Sequence, residues 1–227
     1  MPHESLPLIK NHSLHNINSM CFYTRLDKTK ENIKQRFKAD FEPTPWFRQQ
    51  ETISGFTFPK TPVIANNKPD LIQPFAWGLI PFWSNDNKIR QYTLNAKIET
   101  LTQKPSFRNA INNRCLVIAD GFYEWQWLDP KGKKKQKYLI TLPENELFAF
   151  GGLWSEWTDK TTGEILHTYT IVTTRANELM STIHNSKKRM PVILNSNNEA
   201  DWLKGSPTNE FKKIDLDLIT TPAVASL

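Results

Sequence analysis

Cysteine is scarce in this chain of 227 residues, which holds only Cys21 and Cys115. Two thiols cannot build a disulfide framework or a four-cysteine zinc site, and a reducing cytoplasm is the expected location. Glycine is sparse as well, at 8 residues, and none forms the phosphate-cradling loop of a nucleotide-binding fold. The G-x-S-x-G elbow of serine hydrolases and the H-E-x-x-H zinc helix are both missing. No apolar run approaches the roughly 18 residues of a membrane helix, so no membrane partner is expected. Residues 1–20 have neither an apolar stretch nor a small-residue cleavage site, which argues against a secretory signal. Their pair His12 and His15 lacks a third ligand at matching spacing, so neither metal nor cofactor is expected.

What the chain does have is cations and aromatic rings. Twenty-nine Lys and Arg against 23 Asp and Glu give a net charge of +6, with 8 Trp and 13 Phe. Single-stranded nucleic acid is bound by that mixture, because bases stack on rings and phosphates pair with cations. A Trp-rich core accounts for the rings equally well.

Periodicity suggests an α+β fold. Residues 1–20 form a polar extension. Residues 27–37 are helical in pattern, 42–60 are proline-interrupted loop, and 62–65, 75–80, 115–119, 121–127, 138–142, 147–154 and 168–173 are β-type. Asp129-Pro130-Lys131-Gly132 is a turn, making 121–142 a hairpin with a lysine-rich tip. Helices are expected over 175–183 and from Ser196, which has capping-box spacing to Glu199. Many short strands with few helices indicate one domain with a curled, mainly antiparallel, barrel-like β-core and flanking helices.

Four segments carry chemistry. In Met20-Cys21, removal of the methionine would leave Cys21 with an amine of pKa about 8 and a thiol of about 8.5 on adjacent carbons. That pair captures an aldehyde as an imine and closes it to a thiazolidine, aided by high effective molarity. An ordinary semi-buried cysteine is the alternative. Asn95, in Leu94–Thr100, offers a donor and an acceptor, as would a turn asparagine. Glu124 stands among Phe122, Tyr123 and Trp125, where burial would raise its pKa toward neutrality; an exposed edge position would not. His184 closes a helix before Lys187, Lys188 and Arg189, a cationic run suited to a passing phosphate backbone.

Together, the stretches MCFYTR, AWGLIPFW, LNAKIET, CLVIADGFYEW, FAFGGLW and IHNSKKRMPVIL resemble, in order, the SOS-response-associated peptidases, also called abasic-site processing proteins. The resemblance implies covalent capture of abasic sites in single-stranded DNA by a monomer, protecting the lesion in the DNA damage response. It assigns catalytic roles to Cys21, Asn95, Glu124 and His184. DNA contacts fall on Arg25, Lys97, Arg108, Lys187, Lys188 and Arg189, and stacking or wedging on Phe82 and Trp83. Residues 1–20 are then an extension absent from the mature protein, through a start at Met20 or self-cleavage, and 21–227 are the abasic-site processing domain. Four features depart from the family pattern. Lys97 replaces an arginine, the extension precedes Cys21, Phe22-Tyr23 follow the cysteine where Gly-Arg is usual, and Ser54-Gly55-Phe56-Thr57-Phe58-Pro59 replaces the family's proline-containing loop, with Phe56 or Phe58 as the substitute wedge. Competing readings are a cysteine hydrolase or autoprotease, with His184 as base to Cys21, and a non-covalent single-strand binder.

Overall fold

The computed structural model describes residues 21–43 and 45–224. The strands are β1 (Tyr23–Leu26), β2 (Asp40–Phe41), β3 (Gln50–Ser54), β4 (Lys60–Ala65), β5 (Leu71–Trp77), β6 (Asn95–Lys97) and β7 (Arg114–Ala119). They continue as β8 (Gly121–Trp127), β9 (Lys135–Thr141), β10 (Phe148–Thr158), β11 (Ile165–Arg175), β12 (Arg189–Pro191), β13 (Ile193–Leu194) and β14 (Ile219–Ala223). The helices are short: α1 (Lys30–Phe37), α2 (Pro105–Arg108), α3 (Glu178–Ile183) and α4 (Glu199–Lys204). None of them is long and apolar enough to cross a membrane.

Runs of β-branched and aromatic residues build the central strands. β7 is buried at every position, and β10 and β11 are buried through most of their length. Antiparallel pairing runs β5–β4–β7–β10–β11. A parallel contact, Thr168 opposite Ala76 and Tyr169 opposite Trp77, then joins β11 back to β5. Five strands thus close into a mixed barrel, which removes their exposed edges. Near the closure, the Thr61 and Tyr169 hydroxyls meet at 2.8 Å and the Trp77 and Tyr169 rings stack. Trp77, Trp157 and Trp202 are fully buried, and each indole N–H reaches a backbone carbonyl, which offsets the cost of burying it. Much of the tryptophan content is therefore core.

A second sheet, in the order β14–β9–β8–β1–β3, leaves the barrel where β7 runs on into β8. Asp120 makes that corner. Its carboxylate accepts from Arg25 Nε at 3.0 Å and from the Asp27 amide at 3.2 Å. β8 and β9 pair from Phe122 opposite Ile140 to Trp127 opposite Lys135, as the hairpin reading expected.

Local departures have local causes. The stretch read as loop over 42–60 contains β3, whose one buried residue is Ile53. The helix expected over 175–183 starts at Glu178, because β11 runs to Arg175 and Asn177 then caps, accepting from the Met180 amide. The Ser196–Glu199 capping box does not form; Asn198 holds the cap position with its side chain turned back to accept from the Asn195 amide, and Glu199 instead receives both guanidinium nitrogens of Arg36.

Candidate functional site

β1 lies between β3 and β8, with Tyr23 opposite both Ser54 and Tyr123. Continuing that antiparallel register brings residue 21 to the level of Glu124 and Trp125. Cys21 is 2% exposed and unpaired, and its carbonyl accepts from Asn95 Nδ2 at 2.9 Å. Burial pushes its thiol well above the ordinary value. The Glu124 charge adds to the rise, and the Tyr23 amide opposes it.

Asn95 is delivered from the other side of the site. β6 runs parallel to β11, placing Asn95 opposite Ile171. Its amide nitrogen is fixed on Cys21, while its Oδ1 is shielded and has no partner among the described residues.

Glu124 follows Phe122 on the inward face of β8, and both are buried. Loss of hydration pushes the carboxyl up to about 8, against a smaller opposing effect of the Trp125 amide. Its Oε1 likewise has no partner among the described residues. Buried polar atoms are normally hydrogen-bonded. Two such acceptors lie in the neighbourhood of Cys21.

His184 ends α3, which packs against β8. Its Nδ1 lies 2.8 Å from the Arg189 carbonyl. A carbonyl can only accept, so Nδ1 carries the hydrogen and Nε2 is the basic nitrogen. The next residue, Asn185, mimics a strand partner. Its Oδ1 accepts from the Trp127 amide at 3.0 Å, and its Nδ2 donates to the Trp127 carbonyl at 2.9 Å. This clamp docks the His184 loop on the strand that bears Glu124.

The cations divide into two groups. Lys97, Arg108, Lys187 and Lys188 are exposed. Arg25 is engaged by Asp120 and by Asn145 Oδ1 at 2.9 Å. Arg189 holds Glu99 with two bonds of 2.7 and 2.9 Å and also reaches the Thr173 carbonyl. Burial alone would raise the Glu99 carboxyl, but its bonds to Arg189 keep it below the usual range. These two arginines tie elements together, Arg189 linking β12 to the turn after β6. Phe82 and Trp83 are exposed, at 65% and 43%.

Reasoning from sequence missed an aromatic ladder beside Cys21. Phe22 and Phe56 have ring centroids 4.7 Å apart, Tyr23 and Trp125 5.1 Å, and Lys137 Nζ lies 4.1 Å from the Tyr123 centroid. The alternation of Tyr123 and Trp125 along β8 was the available signal. The clamping role of Asn185 had none. His12 and His15 lie outside the described residues.

Comparison with known proteins identifies a family and a shared fold. The family model described as SOS response associated peptidase (SRAP) matches residues 20–224. Abasic site processing protein YoqW of Bacillus subtilis is 45% identical over 148 residues, covering 65% of this chain and 63% of the relative. Abasic site processing protein HMCES of Xenopus tropicalis is 31% identical over 210 residues, covering 82% of this chain and 60% of the relative. The chain therefore spans less than two thirds of the length of either. A crystal structure of a Bacteroides thetaiotaomicron protein superposes with a TM-score of 0.81 at 33% identity, covering 89% of this chain and 91% of that one.

Proposed function

Because the chain belongs to the SOS response associated peptidase family, we propose that it captures abasic sites in single-stranded DNA through Cys21, as a mature chain that begins there. The supporting observation is the constellation at Cys21: a carbonyl held by Asn95, an open acceptor on Asn95, and a carboxyl that stays protonated up to about pH 8.

The chemistry follows from those groups. An abasic sugar interconverts between a closed ring and an open-chain aldehyde. Protonated Glu124 donates to the ring oxygen as the ring opens, which requires a carboxyl that still carries its proton at neutral pH. The Cys21 amine adds to the aldehyde carbon, and loss of one water leaves an imine. The sulfur then adds to the imine carbon while the thiol proton passes to nitrogen, closing a thiazolidine. Aldehyde plus aminothiol gives thiazolidine plus water, with no oxidant or metal required. Asn95 aims the residue by its carbonyl, and its Oδ1 is available to the amine hydrogens. His184 Nε2 moves protons through the imine steps. Lys97, Arg108, Lys187 and Lys188 meet phosphates, while Phe82 and Trp83 stack against or wedge flanking bases. The adduct shields the lesion.

The raised Cys21 thiol weighs against a cysteine hydrolase, which needs thiolate at neutral pH. Thiazolidine formation does not, because the ring-closing sulfur acts intramolecularly. Self-removal of residues 1–20 is a separate step that would expose the amine. Intact mass of a purified chain begun at Met1 tests it, with loss of the leader in the wild type and retention in Glu124→Ala expected.

To test the capture, a protein started at Met20 is incubated with single-stranded DNA carrying an excised uracil. A heat-stable, gel-shifted adduct that disappears in Cys21→Ala is expected. An adduct unchanged by that substitution, or a strand nick in its place, would overturn the reading.

A further inference from the structure

We infer that the tip of the β8–β9 hairpin and the loop after His184 form a second, phosphate-binding subsite, which holds a backbone phosphate of the same DNA strand a few nucleotides from the captured sugar. The inference rests on the reading of single-stranded DNA as partner and adds a site to it.

A pocket of about 500 Å³ opens between these two segments, walled by Trp127, Leu128, Asp129 and Pro130 on one side and by Asn185 and Ser186 on the other. Two of its lining residues hold polar atoms that are shielded yet unpartnered among the described residues, Trp127 Nε1 and Ser186 Oγ. The indole N–H can only donate and the serine hydroxyl can donate or accept, so one acceptor group satisfies both. The one carboxylate in the wall does not supply it. Asp129 Oδ1 accepts from the Lys131 amide and Oδ2 from the Lys134 amide, both within its own turn.

The shape is built rather than incidental. Gly132 has a φ of +64°, a conformation that L side chains rarely adopt, and a Cβ there would come within 2.6 Å of the Trp127 ring. The turn folds down on the indole only because that carbon is missing. The Asn185 clamp fixes the opposite wall to the backbone of the same tryptophan.

Charge identifies the ligand. Lys131, Lys133, Lys134 and Lys135 stand exposed on the tip, and Lys187 and Lys188 on the facing loop. Among the described residues none of these lysines forms a salt bridge, whereas Arg25, Arg36 and Arg189 all do. Six cations without a carboxylate partner among the described residues, of which Lys135 also lies over the Trp127 ring, fit an anion with several acceptor oxygens beside the two shielded donors. A phosphodiester is such a group. Position allows the same strand: Trp127 is three residues along β8 from Glu124, about 10 Å at some 3.3 Å per residue and on the other face of β8, so the nucleic acid would pass over the hairpin edge between them. A single strand lying in the site reaches that distance within a few nucleotides.

The test separates this subsite from the capture reaction. Binding of an undamaged 20-nucleotide single strand is measured by fluorescence anisotropy across a salt series. The proteins compared are the wild type, a Lys131→Gln/Lys133→Gln/Lys134→Gln variant, and Trp127→Phe. The lysine variant is expected to bind about 10-fold more weakly at low salt, with a flatter dependence of log K on log salt by about 0.7 per lost contact. Trp127→Phe keeps an aromatic ring but loses the N–H together with the fused second ring that packs under Gly132, so its denaturant melt is compared with the wild type alongside binding. It should weaken binding several-fold and leave the salt slope unchanged. Equal affinity and slope in all three proteins would overturn the subsite. Adduct formation on an abasic oligonucleotide, followed in the same proteins, reports separately on capture. Its failure in the wild type with lysine-dependent binding intact would refute capture and leave the subsite standing.

Discussion

The two cysteines are both free and both buried, yet their surroundings differ in kind. Cys115 sits in the barrel wall, where Gly152 leaves room for its sulfur; a Cβ on that glycine would come within 2.7 Å of Sγ. Its carbonyl accepts from Trp202 Nε1 at 3.1 Å, and only burial raises its thiol. Cys21 is equally hidden. Its carbonyl, however, is held by an amide whose other end has no partner among the described residues, and a carboxyl lies close enough to act on its thiol. Packing explains everything around Cys115. It does not explain a buried Glu124 and a half-satisfied Asn95, both of which lower stability unless a ligand uses them.

Glu124→Gln cuts deepest into this contrast. Removing the carboxyl proton should slow adduct formation by about 10²- to 10⁴-fold, the usual range for loss of a general acid. The same change should stabilise the protein at alkaline pH. The folded carboxyl titrates near 8 and the unfolded one near 4.5. The stability this group contributes is therefore present below about 4.5 and is lost as the pH rises through 8, because folding then buries a charge. Glutamine has no such slope. Urea denaturation at pH 6 and pH 9 should show the wild type losing a few kcal/mol relative to the variant.

Asn95→Ala comes next. It frees the Cys21 carbonyl and removes the open acceptor, so single-turnover adduct formation should fall about 10- to 100-fold. Stability should change by no more than about 1 kcal/mol, since one hydrogen bond is lost together with one unsatisfied atom. Cys115→Ala supplies the control. It should cost about 1–2 kcal/mol in a denaturant melt, through the cavity left in the barrel wall, and leave the adduct rate at the wild-type value.

Asn185→Ala has a smaller effect, through position alone. Loosening the His184 loop from Trp127 should reduce the adduct rate about 3- to 10-fold, and Asn185→Gln should not restore it, because the longer side chain misses both backbone groups. Smallest of all is Lys97→Gln. It should weaken strand binding by a factor of about 2–5 and lower the salt slope by about 0.7.

The barrel was legible because its strands are continuous apolar runs. β4, β5, β7, β10 and β11 all overlap stretches read as β from sequence. β3 and β14 were not: β3 buries only Ile53, and β14 carries Pro222 and has no buried residue. Pairing with distant strands makes these segments β, and no local pattern encodes it. At the site, the resemblance of six stretches in order singled out Cys21, Asn95, Glu124 and His184, and the register of β1, β6 and β8 brings the first three into one neighbourhood. The arginines show the limit. Arg25 and Arg189 read as cations free for DNA, but their partners lie 95 and 90 residues away in sequence, at Asp120 and Glu99. A charge count cannot reveal a partner that only the fold brings near.

The most direct measurement is peptide mapping of the adduct formed by a Met20-start protein, wild type beside Cys21→Ser. The account expects the wild-type adduct on a peptide beginning at Cys21, at the combined mass less one water, heat-stable and unaffected by borohydride. It expects Cys21→Ser, which keeps the amine and loses the sulfur, to yield only an imine that borohydride traps. A wild-type adduct on a lysine, or an equally heat-stable adduct from Cys21→Ser, would contradict the account.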